Sequence, residues 1–215
     1  MIEKIVRENR EITLIGTGHV FKESVKEVEE TILFEEPEAV CVELDPKRYY
    51  GLLTGQRMDF IDIVRVKGIR VGVVAGLLQY LERKIGEQMG VFPGKEMITA
   101  TQISAKVDAK LYFIDRDAEV TIERMTKMPF REKFSLLKNF FLSFFRKETV
   151  TLDLTKDNID LLTKELERIS PHLYKTLIDE RDQLMAEKLK ALKEKSLVAV
   201  VGAGHLRGIL ERITF

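Results

Sequence analysis

Two of the chain's three histidines stand behind matching runs of small residues. Leu14-Ile15-Gly16-Thr17-Gly18-His19-Val20 is echoed by Val200-Val201-Gly202-Ala203-Gly204-His205-Leu206. In both, an apolar run gives way to Gly-small-Gly and then to an imidazole. Gly16, Gly18, Gly202 and Gly204 permit tight turns and close backbone approach by a ligand. An imidazole placed there can carry protons near neutral pH or hold a metal ion. The local alternatives are that each histidine satisfies its own turn or caps a helix, or that the glycines cradle a phosphate. The phosphate reading lacks its usual companions: Gly208 lies one place too far for Gly-x-Gly-x-x-Gly, and no P-loop lysine follows.

A further apolar run, Ala39-Val40-Cys41-Val42, ends in Glu43-Leu44-Asp45, with Arg48 shortly after. A carboxylate just past a buried strand is costly without partners, so it pairs or ligates. Glu43 with His19 and His205 makes a His/His/carboxylate set. Such a set can bind a catalytic divalent metal with positions open to water. It can also work without metal, one imidazole taking a proton from water while Glu43 orients it. A plain Glu43–Arg48 ion pair is the simpler role.

Asp115-Arg116-Asp117 and Glu180-Arg181-Asp182 each place an arginine between carboxylates. On a solvated face these would be ordinary ion pairs. The first trio directly follows an apolar run and is the better placed for function. A guanidinium there can hold a substrate carboxylate or carbonyl through a planar two-pronged contact. His172, beside Pro171, reads as a helix start or surface residue, and Cys41 as buried and inert.

A sheet must bring these residues together. Residues 12–15, 39–42, 111–114 and 197–201 are continuous apolar runs, the pattern of strands buried on both faces. After the first, Ser24 and Glu27 form a capping-box pattern. Val25, Val28, Ile32 and Leu33 then give the one-sided spacing of a helix ending near Pro37. Residues 12–43 therefore predict β-α-β. The fold class is α/β, with a mainly parallel central sheet of about four or more strands flanked by helices. Ligand sites gather at the carboxyl ends of such strands, so His19, Glu43 and His205 are expected in one cleft.

Residues 46–109 read as mostly helical, with possible breaks at glycines from Gly51 to Gly94 and a helix over 95–107. Residues 118–195 show no strand pattern. They predict a helical insertion or lobe before the last strand, broken near Pro129, near 149–153 and at Ser170-Pro171, within a single domain of residues 1–215.

Lys+Arg and Asp+Glu both number 35, which argues against an electrostatic nucleic-acid binder. One cysteine rules out an intrachain disulfide and fits a reducing compartment. No signal peptide is expected, and the longest apolar stretch, residues 71–78, is far below the roughly 20 residues of a membrane span. Residues 130–147 hold half of the twelve phenylalanines, interleaved with Arg131, Lys133, Lys138, Arg146 and Lys147. Phe130, Phe134, Leu137, Phe141 and Phe144 form a stripe at helical spacing, widened by Phe140 and Phe145. That band predicts a homodimer interface.

Taken in order, Gly16-Thr17-Gly18-His19, Val42-Glu43-Leu44-Asp45 with Arg48, Glu96-Met97, Ile114-Asp115-Arg116-Asp117, Asp179-Glu180-Arg181-Asp182 and Gly202-Ala203-Gly204-His205 resemble the TraB/PrgY family. Those proteins are named for shutting down peptide sex pheromones in Gram-positive bacteria and have many archaeal relatives. The wider superfamily includes Tiki, a metal-dependent protease with two Gly-x-x-His motifs and a glutamate. It is also similar to erythromycin esterase and a haem-uptake protein.

The resemblance implies a metal-dependent, peptidase-like hydrolase acting on a peptide. His19, Glu43 and His205 would hold a divalent ion (Mn, Co or Zn) and activate water. Arg48, Asp115, Arg116, Asp117, Glu180, Arg181 and Asp182 would contact substrate. A peptide-sequestering module and a metal-independent esterase are the alternatives. Relatives often continue into membrane-spanning helices, so the implied location is cytoplasmic or membrane-associated.

Overall fold

The computed structural model describes residues 1–7, 9–18, 22–54, 94–132 and 156–214. Among these, five strands form one sheet: β1 (Ile2–Arg7), β2 (Arg10–Thr17), β3 (Ala39–Val42), β4 (Lys110–Phe113) and β5 (Ser196–Gly202). Their order is β1-β2-β5-β3-β4. β2, β5, β3 and β4 are parallel, and β1 adds antiparallel to β2 at one edge. The four apolar runs are the four parallel strands. β1 carries Glu3, Lys4 and Arg7 and buries only Ile5, as a wet edge strand can.

The central strands are apolar throughout because helices cover both faces. Along β5, Leu197, Ala199 and Val201 face one side and Val198 and Val200 the other. The first set packs with Met185, Leu189, Ile209 and Ile213 of α7 (Glu180–Ala191) and α8 (Ala203–Thr214). The second packs with Val28 and Ile32 of α1 (Lys22–Glu35) and Met97, Ala100 and Ile103 of α3 (Lys95–Lys106). Three- and four-residue steps place each apolar set on one side of its helix.

α1 begins two residues before Ser24, so Ser24 lies inside the helix and does not cap it. It stops at Glu35, and Glu36 turns to a φ of 39° ahead of Pro37. α2 (Pro46–Thr54) follows β3 and contains Gly51, which does not break it. Between β4 and β5 the described elements are all helical: α4 (Ala118–Thr126), α5 (Lys156–Ile169), α6 (Pro171–Tyr174), a π-helical turn (Lys175–Asp179) and α7. The break at Ser170-Pro171 is a helix start, Ser170 capping α6 and Pro171 taking its first position. The break at 149–153, the glycines from Gly55 to Gly90 and the phenylalanine band beyond Glu132 lie outside the described residues. Among the described residues no helix is long and apolar enough to cross a membrane.

β5 lies between β2 and β3, and Thr17 of β2 pairs with Gly202 while Val42 of β3 pairs with Val200. The chain therefore leaves all three strands at neighbouring points on one edge. Those exits lead to the two Gly-x-Gly-His segments and to Glu43.

Candidate active site

Glu43 stands one residue beyond β3, where its N–H donates to Val200 O at 3.0 Å. Its carboxylate is 6% exposed. Oε2 accepts from the Gly202 N–H at 2.6 Å, while Oε1 accepts from Arg181 Nη2 and lies 3.3 Å from His205 Nε2. The last backbone donor of β5 thus fixes the acid against the first turn of α8, which carries His205.

Arg181 is the hub. Nε and Nη2 form a two-pronged contact with Asp115, at 3.0 Å to Oδ1 and 2.8 Å to Oδ2. Nη2 also donates to Glu43, and Nη1 donates to Leu177 O at 3.0 Å and faces His205 Nε2 at 3.0 Å. Of the five N–H donors of a guanidinium, four are taken by Asp115, Glu43 and Leu177, and the fifth faces His205 Nε2. Burial alone would push Arg181 down, but Glu43 and Asp115 hold it above its ordinary value, so it stays charged. Leu177 sits in the π-helical turn, and its carbonyl is one of the groups that Arg181 satisfies.

His205 is 5% exposed, with Nδ1 at 2.6 Å from Asp182 Oδ1. Burial pushes the imidazole down and Arg181 adds to that. Glu43 and the Asp182 hydrogen bond outweigh both and raise it to about 9. Asp182 is itself pushed up by burial, against the pull of His205. Glu43 and Asp115 flank the guanidinium and Asp182 the imidazole, so a second positive charge on His205 brings the three acids and Arg181 nearer to neutrality. The acids around it thus favour the charged ring. In that form Nε2–H faces Glu43 Oε1 and offers no lone pair to Arg181, so one Nη1–H lies beside it without an acceptor.

The other site residues predicted from sequence form the surrounding frame. Arg116 donates to Thr121 Oγ1 at 2.8 Å and Glu180 Oε2 at 2.9 Å, and Arg124 also reaches Glu180. Asp117 caps α4 and pairs with Lys47 at 2.7 Å. Arg48 lies 3.7 Å from Asp115, so the ion pair on Glu43 is with Arg181 and not with Arg48. His172 occupies the first turn of α6 and Cys41 is buried, its thiol pushed up to about 12 by burial. Gly16 is a close-packing position, since a Cβ there would meet Leu206 at 3.0 Å. Gly204 has no such crowding. His19 lies outside the described residues.

Glu43 Oε1 and His205 Nε2 could be expected to share a metal ion, but both face the same guanidinium. A cation on these two atoms would have to take Arg181's place. Among the described residues no three His, Cys, Asp or Glu side chains are grouped to hold a metal.

Two features were missed from sequence. Asp182 lies beneath His205 and orients it, where contact with substrate was expected. Gly208, in α8, leaves room for that carboxylate: a Cβ there would lie 2.7 Å from Asp182 Cγ. The signal for Gly208 was a glycine inside a helical pattern, which calls for a packing reason.

Comparison with known proteins adds the family context. The sequence profile of the TraB/PrgY/gumN family matches residues 1–213. An uncharacterized protein of Methanocaldococcus jannaschii is 38% identical over 208 residues, covering 93% of this chain and 52% of that protein. TraB domain-containing proteins of Mus musculus and Homo sapiens are each 27% identical over 237 residues, covering 95% of this chain and 63% of each. The chain thus spans between about half and two thirds of the length of these relatives.

Proposed function

This chain belongs to the TraB/PrgY/gumN family, and on that premise we propose that its site hydrolyses an amide bond of a peptide. One observation carries the reading: a buried His205, held by Asp182 on one nitrogen, turns its other nitrogen toward Glu43 and beside Arg181. Arg181 Nη1–H and His205 Nε2–H receive the substrate carbonyl oxygen and stabilise the negative charge that develops on it. Water attacks the carbonyl carbon, giving its proton to the second imidazole of the paired motif, His19. The carbon–nitrogen bond breaks, and the leaving nitrogen takes a proton from charged His205, which is then recharged from His19. Glu43 holds both the ring and Arg181 in place.

In a metal-dependent version Glu43, His205 and His19 would hold a divalent ion that activates water, and Arg181 would have to give way to it. It is supported by the carboxylate behind His205, the usual partner of a metal-bound imidazole. A second reading is a module that binds peptide without cutting it. The observation in its favour is that four of the five Arg181 donors are already engaged within the protein. Digestion of a defined peptide mixture, with and without chelator, by wild type and Glu43→Gln separates these readings. Cleavage by wild type alone, unchanged by chelation, is expected. Cleavage lost on chelation moves the site to the metal version, and peptide recovered intact at 1:1 stoichiometry refutes hydrolysis.

A further inference from the structure

We infer that the cleft between the outer edge of β4, the start of α2 and Lys188 of α7 binds the amino-terminal residue of a peptide. The α-ammonium sits on Asp45 and the first carbonyl oxygen on Lys188. This rests on the peptide-directed reading of the adjoining site and names how the substrate is presented.

The cleft encloses about 600 Å³ and is lined in part by Asp45, Leu111, Tyr112, Phe113, Asp115 and Lys188. β4 pairs on one side with β3 and, among the described residues, is the edge of the sheet. Consecutive strand residues point to opposite faces, so a cleft lined by all three of Leu111, Tyr112 and Phe113 opens on the strand's edge. Such an edge accepts an extended chain as a further strand.

The polar groups at the carboxyl end of β4 say which part of a chain lies there. Asp45 is 3% exposed, and its Oδ1 caps α2 by accepting from Lys47 N at 2.9 Å and Arg48 N at 3.1 Å. Its Oδ2 is buried and has no hydrogen bond. A carboxylate oxygen in that state is unfavourable, and a ligand N–H relieves it.

Lys188 Nζ donates to Asp115 O at 2.7 Å and Phe113 O at 3.3 Å. An ammonium has three protons, and these carbonyls take two. Burial pulls Lys188 down while Asp115 and Asp45 pull it up, so its ammonium and the Asp45 carboxylate lie within electrostatic reach. Lys47 is engaged by Asp117 and Glu119. One unpaired acceptor and one spare donor proton remain in the lining of this cleft, and the –NH₃⁺ and C=O of a single amino-terminal residue complement them. The peptide then runs antiparallel to β4, away from the site. Asp115 both lines the cleft and grips Arg181, so the bond after the first residue lies on the side of the reactive groups.

Calorimetry on the full chain tests this with the amide of Ala-Leu-Phe-Ala and its N-acetyl twin, each checked as intact by mass. The free-amine peptide is expected to bind wild type at least about tenfold more tightly than the acetylated one, the loss of one charge-assisted hydrogen bond. Asp45→Asn keeps the capping oxygen and should erase that preference. Lys188→Met, which keeps the aliphatic stem, should weaken the free peptide independently. Equal binding of the twins, a preference that survives Asp45→Asn, or no binding of either peptide overturns the inference. A preference without any cleavage keeps the cleft and removes the hydrolase. Cleavage without a preference does the reverse.

Discussion

Gly208→Ala should destabilise this protein although helix propensity says the opposite. In a helix interior alanine is favoured over glycine by about 1 kcal/mol. At this position a Cβ would lie 2.7 Å from Asp182 Cγ, closer still to its Oδ2, and 3.2 Å from Arg212 Nη1. Asp182 is buried and 2.6 Å from His205 Nδ1, so it escapes only by releasing the imidazole. A hydrogen bond between charged groups contributes about 1.5–3 kcal/mol, and stranding a buried partner costs about 3–5 kcal/mol. Set against the propensity gain, the net loss is about 2–4 kcal/mol. For a chain of 215 residues that lowers Tm by on the order of 10 °C. Thermal and urea unfolding at pH 7 would measure it. In an Asp182→Ala background the same substitution should become stabilising by about 1 kcal/mol, because the clash is gone. A Gly208→Ala protein as stable as wild type would show that the carboxylate moves at little cost, and the claim that it fixes His205 would fail.

Other outcomes follow from the same contacts. His205 is raised from 6.5 to about 9, so its contribution to stability is complete below pH 6.5 and disappears as pH rises through 9. That contribution is about 3 kcal/mol, and His205→Gln should flatten this part of the stability–pH curve; an unchanged slope would contradict it. Arg181→Lys keeps the charge but loses the two-pronged grip on Asp115, so a loss of about 3 kcal/mol in urea unfolding is expected, and no loss would show the hub to be dispensable. Phe130, at the start of the phenylalanine band, is 87% exposed. Light scattering should show a dimer that Phe141→Glu and Phe144→Glu dissociate, and a monomeric wild type would remove the interface.

The strands were legible because burial on both faces leaves no room for polar residues. Val198, Ala199, Val200 and Val201 are all fully buried, and their run in the sequence says so directly. β1 was less legible: an edge strand needs only one buried side chain, and Ile5 among charged neighbours gives no pattern. That Glu43 and His205 come together could be anticipated because both follow buried strands at one edge of the sheet. Arg181 and Asp182 were visible as a charged trio, but their roles depend on the π-helical turn and on where α7 packs. Neighbouring helix residues point about 100° apart, so Glu180, Arg181 and Asp182 reach three different partners. No spacing rule assigns those partners. Asp45 Oδ2 was beyond sequence reasoning altogether, since only the folded chain shows which oxygen of a helix cap is left over.

Isotope incorporation tests the central claim most directly. Wild-type protein and Glu43→Gln would be incubated with a defined free-amine peptide in ¹⁸O-labelled water and the products weighed. Hydrolysis at this site predicts a new carboxyl group carrying one ¹⁸O in the wild-type reaction, at a rate reduced at least about a hundredfold by Glu43→Gln. Peptide that binds and returns unlabelled, or label that appears equally with the variant, would contradict the assignment of Glu43, His205 and Arg181 as the reactive site.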